Sequence, residues 1–258
     1  MVTILFHSTI FGPIRSRRLG VSLGINLSPN DGKICSFDCI YCEAGYNAQG
    51  AGTLGFPKRE DVKTLLEEKL NEMKLTNEQL DVITFSGNGE PTLHPQFAQI
   101  IDDTIALRDK YFPNVKISVL SNSTRLSKQD VANALRKVDN NILKLDSAIT
   151  STMRAIDQPT SPSFTSENVI EQLTAFRNQC IIQTMILRGK HDGISIDNST
   201  EVEINALIKA YTQISPRQVM LYSIDRKTPE QNLEKVSIEE LNEIAKRIKA
   251  IGIDVIVS

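Results

Sequence analysis

Apolar positions along the chain alternate between two spacings. Short continuous runs at residues 21–27, 82–85, 115–120, 142–145, 181–187, 219–224 and 255–257 read as strands. Between them, apolar residues recur on one helical face: Val62, Leu65, Leu66, Leu70 and Met73, then Phe97, Ile100, Ile101 and Ile105. The same spacing returns at Val131 and Leu135, at Val169, Leu173 and Phe176, at Ile204, Leu207, Ile208 and Tyr211, and at Ile238, Leu241, Ala245, Ile248 and Ile251. Ser237 and Glu240 predict a capping box at the start of the last helix.

Strand, helix, strand repeated in this way calls for right-handed crossovers and a parallel sheet covered by helices, either doubly wound or a barrel. Six or seven strands favour an α/β fold of the partial (β/α)6 barrel type, parallel strands inside and helices outside. We expect a single domain over residues 1–258, with 1–34 as an N-terminal segment and first strand and 35–42 as the loop that follows. Ligands of such folds sit at the carboxyl ends of the strands, so the residues after each run are the candidates for function.

Composition narrows the class. Of 258 residues, 40% are hydrophobic and 23% charged, which supports a sizeable core and excludes disordered and fibrous architectures. No apolar run approaches the roughly 20 residues of a membrane span, and the opening Met1-Val2-Thr3-Ile4-Leu5-Phe6 lacks a basic n-region, so the expected location is cytoplasmic. Lys and Arg number 29 against 31 Asp and Glu, a net charge of -2, so no global basic field draws the chain onto nucleic acid. Arg15, Arg17, Arg18 and Lys33 nevertheless outweigh Asp31 locally. An RNA substrate would gain from that patch through counterion release, while the alternative is that these cations brace the following loop.

The four cysteines decide the chemistry. Cys35, Cys39 and Cys42 fall in one short segment, Ile34-Cys35-Ser36-Phe37-Asp38-Cys39-Ile40-Tyr41-Cys42, with spacing C-x3-C-x2-C. Soft thiolates so placed select zinc or iron–sulfur. A structural zinc site closes with a fourth ligand, yet Cys180 opens a later strand and His7, His94 and His191 are unpaired in the sequence. A lone cysteine opening an apolar strand reads as a small buried hydrophobe. Three cysteines on a four-iron cluster would leave one iron open to a small molecule.

This segment, with Tyr41 just before the last cysteine, resembles the motif of the radical S-adenosylmethionine (SAM) superfamily. The resemblance implies that Cys35, Cys39 and Cys42 hold a [4Fe–4S] cluster whose open iron chelates SAM. One-electron reduction then yields methionine and a 5′-deoxyadenosyl radical that abstracts hydrogen from a substrate. By the same resemblance, Gly87, Gly89 and Glu90 match the superfamily's Gly-Gly-Glu motif for the SAM amino group, with Asn88 interrupting it; the alternative is an ordinary strand-to-helix turn. Asn122, in Ser121-Asn122-Ser123-Thr124, stands where relatives contact the SAM carboxylate or ribose, or is a turn former. Asp146, in Lys144-Leu145-Asp146-Ser147, stands where relatives place ribose or substrate contacts, or caps a helix; Lys144 shares its strand parity. Arg188 ends the fifth strand as a fork for a carboxylate or phosphate, or equally as solvated surface, and Tyr222, Asp225 and Arg226 end the sixth.

Residues 11–24, from Phe11-Gly12-Pro13 through Arg15-Ser16-Arg17-Arg18, together with 35–42 and 222–230, resemble the wyosine-synthetase-like branch. That branch is named for tricyclic base formation on tRNA guanosine, with a second cluster on further cysteines. Only Cys180 remains here, which argues against that reaction. The reading is therefore an oxidoreductase or lyase-type radical SAM enzyme, supplied with electrons by a flavodoxin or ferredoxin, acting on an unidentified small molecule, peptide or tRNA. Alternatives are a wyosine-type tRNA-modifying enzyme, an activase of a glycyl radical enzyme, and a non-enzymatic zinc-stabilised binding module.

Overall fold

A computed structural model describes residues 4–16 and 19–258. The expectations resting on Met1, Val2 and Thr3 and on Arg17 and Arg18 lie outside the described residues. In chain order the elements are β1 (Ile10–Ser16), β2 (Gly20–Ile25), α1 (Arg59–Leu75), β3 (Val82–Phe85), α2 (Phe97–Tyr111), β4 (Lys116–Ser121), α3 (Gln129–Lys137), β5 (Asn140–Lys144), α4 (Thr150–Asp157), α5 (Ser166–Thr174), β6 (Ile181–Met185), β7 (Leu187–His191), β8 (Ile194–Asp197), α6 (Glu201–Ile214), β9 (Gln218–Tyr222), β10 (Leu233–Lys235), α7 (Ile238–Lys249) and β11 (Asp254–Val257).

The main sheet has the order β1-β2-β3-β4-β5-β6-β9-β11. Every pairing from β2 to β11 is parallel, and only β1 runs antiparallel, against β2. No pairing joins β1 to β11 among the described residues, so the sheet is an open α/β partial barrel, as its strand–helix alternation predicts. Parity separates its faces. Leu23, Ile83, Phe85, Ile117, Val119, Leu143, Ile182, Val219 and Leu221 pack outward against the helices in one continuous core. Ile142, Ile181 and Met220 form a small apolar patch on the other face. Helix α7 shows how the pattern specifies the layer: Leu241, Ile244, Ala245 and Ile248 are buried, and the capping box of Ser237 and Glu240 forms as expected. Each fully buried Leu or Ile there contributes roughly 1.5–3 kcal/mol.

Three departures matter for the site. The run at 181–187 is two strands, because β7 leaves the main sheet and pairs with β10 and β8 in a small antiparallel sheet. Strand β1 escapes the apolar pattern since Gly12-Pro13 interrupts it and the register shifts between Phe11 and Ile14. Helix α4 is short and buries only Met153, Ile156 and Asp157, too few positions for a periodic signal. Among the described residues no helix is long and apolar enough to cross a membrane.

Candidate active site

After β2 the chain crosses the carboxyl ends of the parallel strands as the cysteine loop. Its near side is tied to β3: Ile34 bridges Gly89, and the Glu90 amide donates to the Ile34 carbonyl at 3.0 Å. Its far side is tied to α4, with the Asp38 amide on the Asp157 carbonyl and the Ile40 amide on the Ile156 carbonyl, each at 3.0 Å. Buried Lys33 braces it from within, donating to the Gly45 carbonyl at 2.6 Å and pairing with Asp38 at 3.2 Å. Of the N-terminal cations weighed as braces, Lys33 is thus one.

The three thiols feel one another and the Lys33 ammonium electrostatically. Burial pushes the Cys35 thiol up to about 12 and raises the Cys39 thiol well above its ordinary value. Bare thiolates are therefore disfavoured in this pocket, and a cationic soft centre is what would stabilise them. No three His, Cys, Asp or Glu side chains among the described residues converge closely enough for a single metal ion. Three soft thiolate donors in one loop are the donor set that an iron–sulfur cluster takes. Cys180 lies apart, fully buried in the helix-facing core, its thiol pushed up to about 12 by burial.

Glu90 is buried at the end of β3. Its carboxylate accepts from the Thr92 amide at 3.1 Å and hydroxyl at 2.5 Å, the Ser121 hydroxyl at 2.9 Å and the Asn122 amide at 2.6 Å. Burial still outweighs these donors and raises its pKa. Asn122 carries the network to the cysteine loop, its amide nitrogen 3.5 Å from the Cys35 sulfur and 3.0 Å from the Ser36 hydroxyl. The glycines answer to protein neighbours: a methyl at Gly89 would overlap the Ile34 carbonyl, and one at Gly87 the Asn26 side chain. Asn88, which interrupts the two glycines in sequence, is a buried brace that accepts from the Phe6 amide at 2.7 Å and donates to the Phe6 carbonyl at 2.8 Å and the Pro29 carbonyl at 3.0 Å. Gly89→Ala is accordingly expected to cost about 1–3 kcal/mol and to lower iron loading, since the Cβ meets backbone that cannot yield without moving Cys35. Thermal unfolding and iron content of the reconstituted variant check this, and a variant matching the unsubstituted protein in both counts against it.

A buried ion network lies beside Cys39. Lys144 pairs with Asp146 at 2.6 Å and Asp157 at 3.0 Å, and both carboxylates are out of solvent. Tyr41 joins it, its hydroxyl donating to Asp146 and accepting from Lys144. The Cys39 thiol lies 3.6 Å from the Asp157 carboxylate. Burial pushes Asp157 up to about 8 against the pull of the ammonium. Burial disfavours the Lys144 charge as well, yet the two carboxylates more than offset that and hold its pKa well above the ordinary value. Asp146 also accepts from the Met185 amide at 2.9 Å, so it knits β5 to β6 rather than capping a helix. Sequence reasoning singled out Tyr41 and Asp146 and ranked Lys144 below them; it missed Asp157, which stands on the unpredicted α4.

Two connected cavities open beside these groups. One, of about 240 Å³, is lined by Tyr41, Cys42, Met185 and Tyr222 and reaches Arg226. The other, of about 300 Å³, extends between the concave face of the sheet and β1. They share Glu43, Leu120, Gln183 and Arg226, and the Arg226 guanidinium pairs with Glu43 at 2.6 Å.

Arg188 departs from its expected place at the site. Its guanidinium is held on the small second sheet by Ser199 at 2.6 Å and Glu240 at 2.8 Å, and no contact joins it to the cysteine loop among the described residues. The break of the 181–187 run explains this, because β7 turns away after Ile186. The histidines are committed locally: His7 to the Asn30 carbonyl, His94 to the Pro57 carbonyl and His191 to Glu230.

Comparison with known proteins extends these observations. A family profile described as the Radical SAM superfamily matches residues 30–194, more than half of the chain. The chain is 31% identical over 244 residues to a protein of Brachyspira hyodysenteriae named GTPase Obg, a match covering 93% of this chain and 33% of that one. It is 32% identical over 239 residues to a UPF0026 protein of Methanocaldococcus jannaschii, covering 91% and 69%. The chain thus spans a third of the first relative's length and about two thirds of the second's. A radical SAM methyltransferase from Sphaerobacter thermophilus shares its fold with TM-score 0.65 at 14% identity, covering 92% of this chain and 65% of that one. TYW1 with a lysine-pyruvate adduct bound superposes with TM-score 0.62 at 16% identity, covering 89% and 73%.

Proposed function

The chain belongs to the Radical SAM superfamily, whose cofactors are a [4Fe–4S] cluster and SAM, and from that premise we propose that Cys35, Cys39 and Cys42 hold the cluster of an enzyme that cleaves SAM reductively and abstracts hydrogen from its substrate. The observation that carries this reading is that Cys35, Cys39 and Cys42 lie in one loop braced across the carboxyl ends of the strands, with Cys42 opening onto a cavity there. Bound there, the cluster and SAM supply a 5′-deoxyadenosyl radical from a one-electron cleavage.

The chain's own residues then have separable tasks. The Asn122 amide holds the loop by donating to the Ser36 hydroxyl and to the Cys35 sulfur, where it would offset thiolate charge. Glu90 sets the Asn122 backbone and, through its Oε2, keeps an acceptor at the strand end for an ammonium group such as that of SAM. Gly87 and Gly89 let the strand end pass close to Asn26 and Ile34. The Lys144, Asp146 and Asp157 network fixes Tyr41 at the mouth and excludes water behind Cys39. Electrons come from a flavodoxin or ferredoxin in a cytoplasmic setting. Cys180 takes no part, and no second cluster is assembled from it.

The test is anaerobic reconstitution with iron and sulfide, followed by dithionite and SAM, with iron and 5′-deoxyadenosine quantified together. About four irons per chain and accumulating 5′-deoxyadenosine are expected. Zinc occupancy with intact SAM would overturn the reading in favour of a structural site.

A further inference from the structure

Resting on that reading, we propose that the substrate is a small organic anion with an apolar body, taken into the deeper cavity with its anionic end toward Arg15 and a polar group nearer the cysteine loop held by Gln183. The cavity has the size of a small-ligand site, about 300 Å³. Its wall on the concave face is apolar where Leu120, Ile142 and Met220 line it. Gln183 lines both cavities, so it stands at the passage between the Cys42 side and the deeper space.

Polar groups on the wall divide into satisfied and unsatisfied ones. Ser22 and Thr84 bond each other at 2.8 Å, and Arg226 is taken by Glu43. The Gln183 amide makes no side-chain hydrogen bond to a described residue, and it is the half-buried position of an otherwise buried strand, so its donors and acceptor face the cavity and are open to a ligand. Arg15 likewise makes no hydrogen bond or ion pair at contact distance among the described residues. Asp81, which lines a neighbouring cleft with Arg15, attracts it electrostatically, but that carboxylate already accepts from the Val21 amide at 2.7 Å and from Gln79 at 3.1 Å. With Glu43 paired to Arg226, the Arg15 guanidinium is the cation among the described wall residues that has no carboxylate at contact distance, and its fork of donors suits a carboxylate or a phosphate. A neutral occupant such as a nucleobase would leave that charge unmatched.

The test uses the anaerobically reconstituted holoenzyme with hexanoate, hexyl phosphate and neutral hexanamide as probes, followed by ligand-observed NMR and calorimetry. At least one anion is expected to bind about tenfold or more tighter than hexanamide, and the tighter anion identifies carboxylate or phosphate as the preferred head group. Arg15→Gln is expected to remove the preference and Arg15→Lys to keep most of it; Arg15 is exposed, so neither change threatens folding. Equal binding of hexanamide, no binding of either anion, or a preference that survives Arg15→Gln overturns the inference. 5′-Deoxyadenosine formation by the same unsubstituted preparation is read in parallel. Its loss counts against the radical reading, whereas lost discrimination with SAM cleavage intact counts against the anion site alone.

Discussion

Cys39→Ser reduces 5′-deoxyadenosine formation to background and strips iron from the reconstituted protein, while Cys180→Ala leaves both intact. The serine hydroxyl is nearly isosteric but is a hard oxygen donor that stays protonated in a pocket where even the thiol is pushed well up by burial. Loss of an outer-shell partner costs a metal site roughly 10–100-fold, so loss of a ligand is expected to exceed that, at least about a hundredfold in product formed. Cys39 is the most informative of the three because it sits against Asp157 and within the field of Lys144, so a collapsed site appears in iron content before it appears in folding. The Cys180 control removes one buried sulfur from the helix-facing core, at a cost of about 1 kcal/mol. Full iron and unchanged product in Cys39→Ser would remove the cysteine loop from the chemistry. Lost product in Cys180→Ala would show that the fourth cysteine had been misread as a packing residue.

The cysteine loop could be picked out because the spacing of Cys35, Cys39 and Cys42 is a local property of the sequence, and their service to one centre belongs to the proposed function. The parallel strands were legible for a related reason. Burial on both faces of the sheet makes continuous apolar runs, and 82–85 agrees with β3 to the residue. What the pattern could not carry were contacts between segments far apart in sequence. Asp157 reads as the polar end of a short helix until α4 is seen to place it against Lys144 of β5. Asn88 reads as a flaw in a glycine motif until Phe6 and Pro29 are seen to need its amide. Arg188 was misplaced because a seven-residue apolar run conceals the point where the chain leaves one sheet for another. Gln183 gave no signal at all, since one polar residue in an apolar strand does not reveal which face is concave.

Lys144→Met is expected to be the most destabilising single change among the site residues outside the cysteines. The substitution keeps much of the side chain's length and apolar stem but removes the ammonium that serves both Asp146 and Asp157, leaving two carboxylates with no counter-charge and no solvent. Breaking a buried pair in this way costs roughly 3–5 kcal/mol, because the partner's desolvation is no longer offset. For a chain of this size that is a fall in Tm of roughly 6–20 °C. Tyr41 also loses the group that its hydroxyl accepts from, so the loosening reaches the cysteine loop. A fully exposed pair makes the contrast: at Lys246 and Glu243 both side chains are solvated, and Lys246→Met should shift Tm by no more than a degree or two. The decisive comparison is the double variant Lys144→Met with Asp157→Asn, which removes one of the two stranded charges and should recover part of the lost stability, a coupling of about 1 kcal/mol or more. Thermal unfolding of the reconstituted proteins measures all three. If Lys144→Met unfolds within two degrees of the unsubstituted protein, the network is solvated in solution and does not hold Tyr41 and Asp157 behind Cys39.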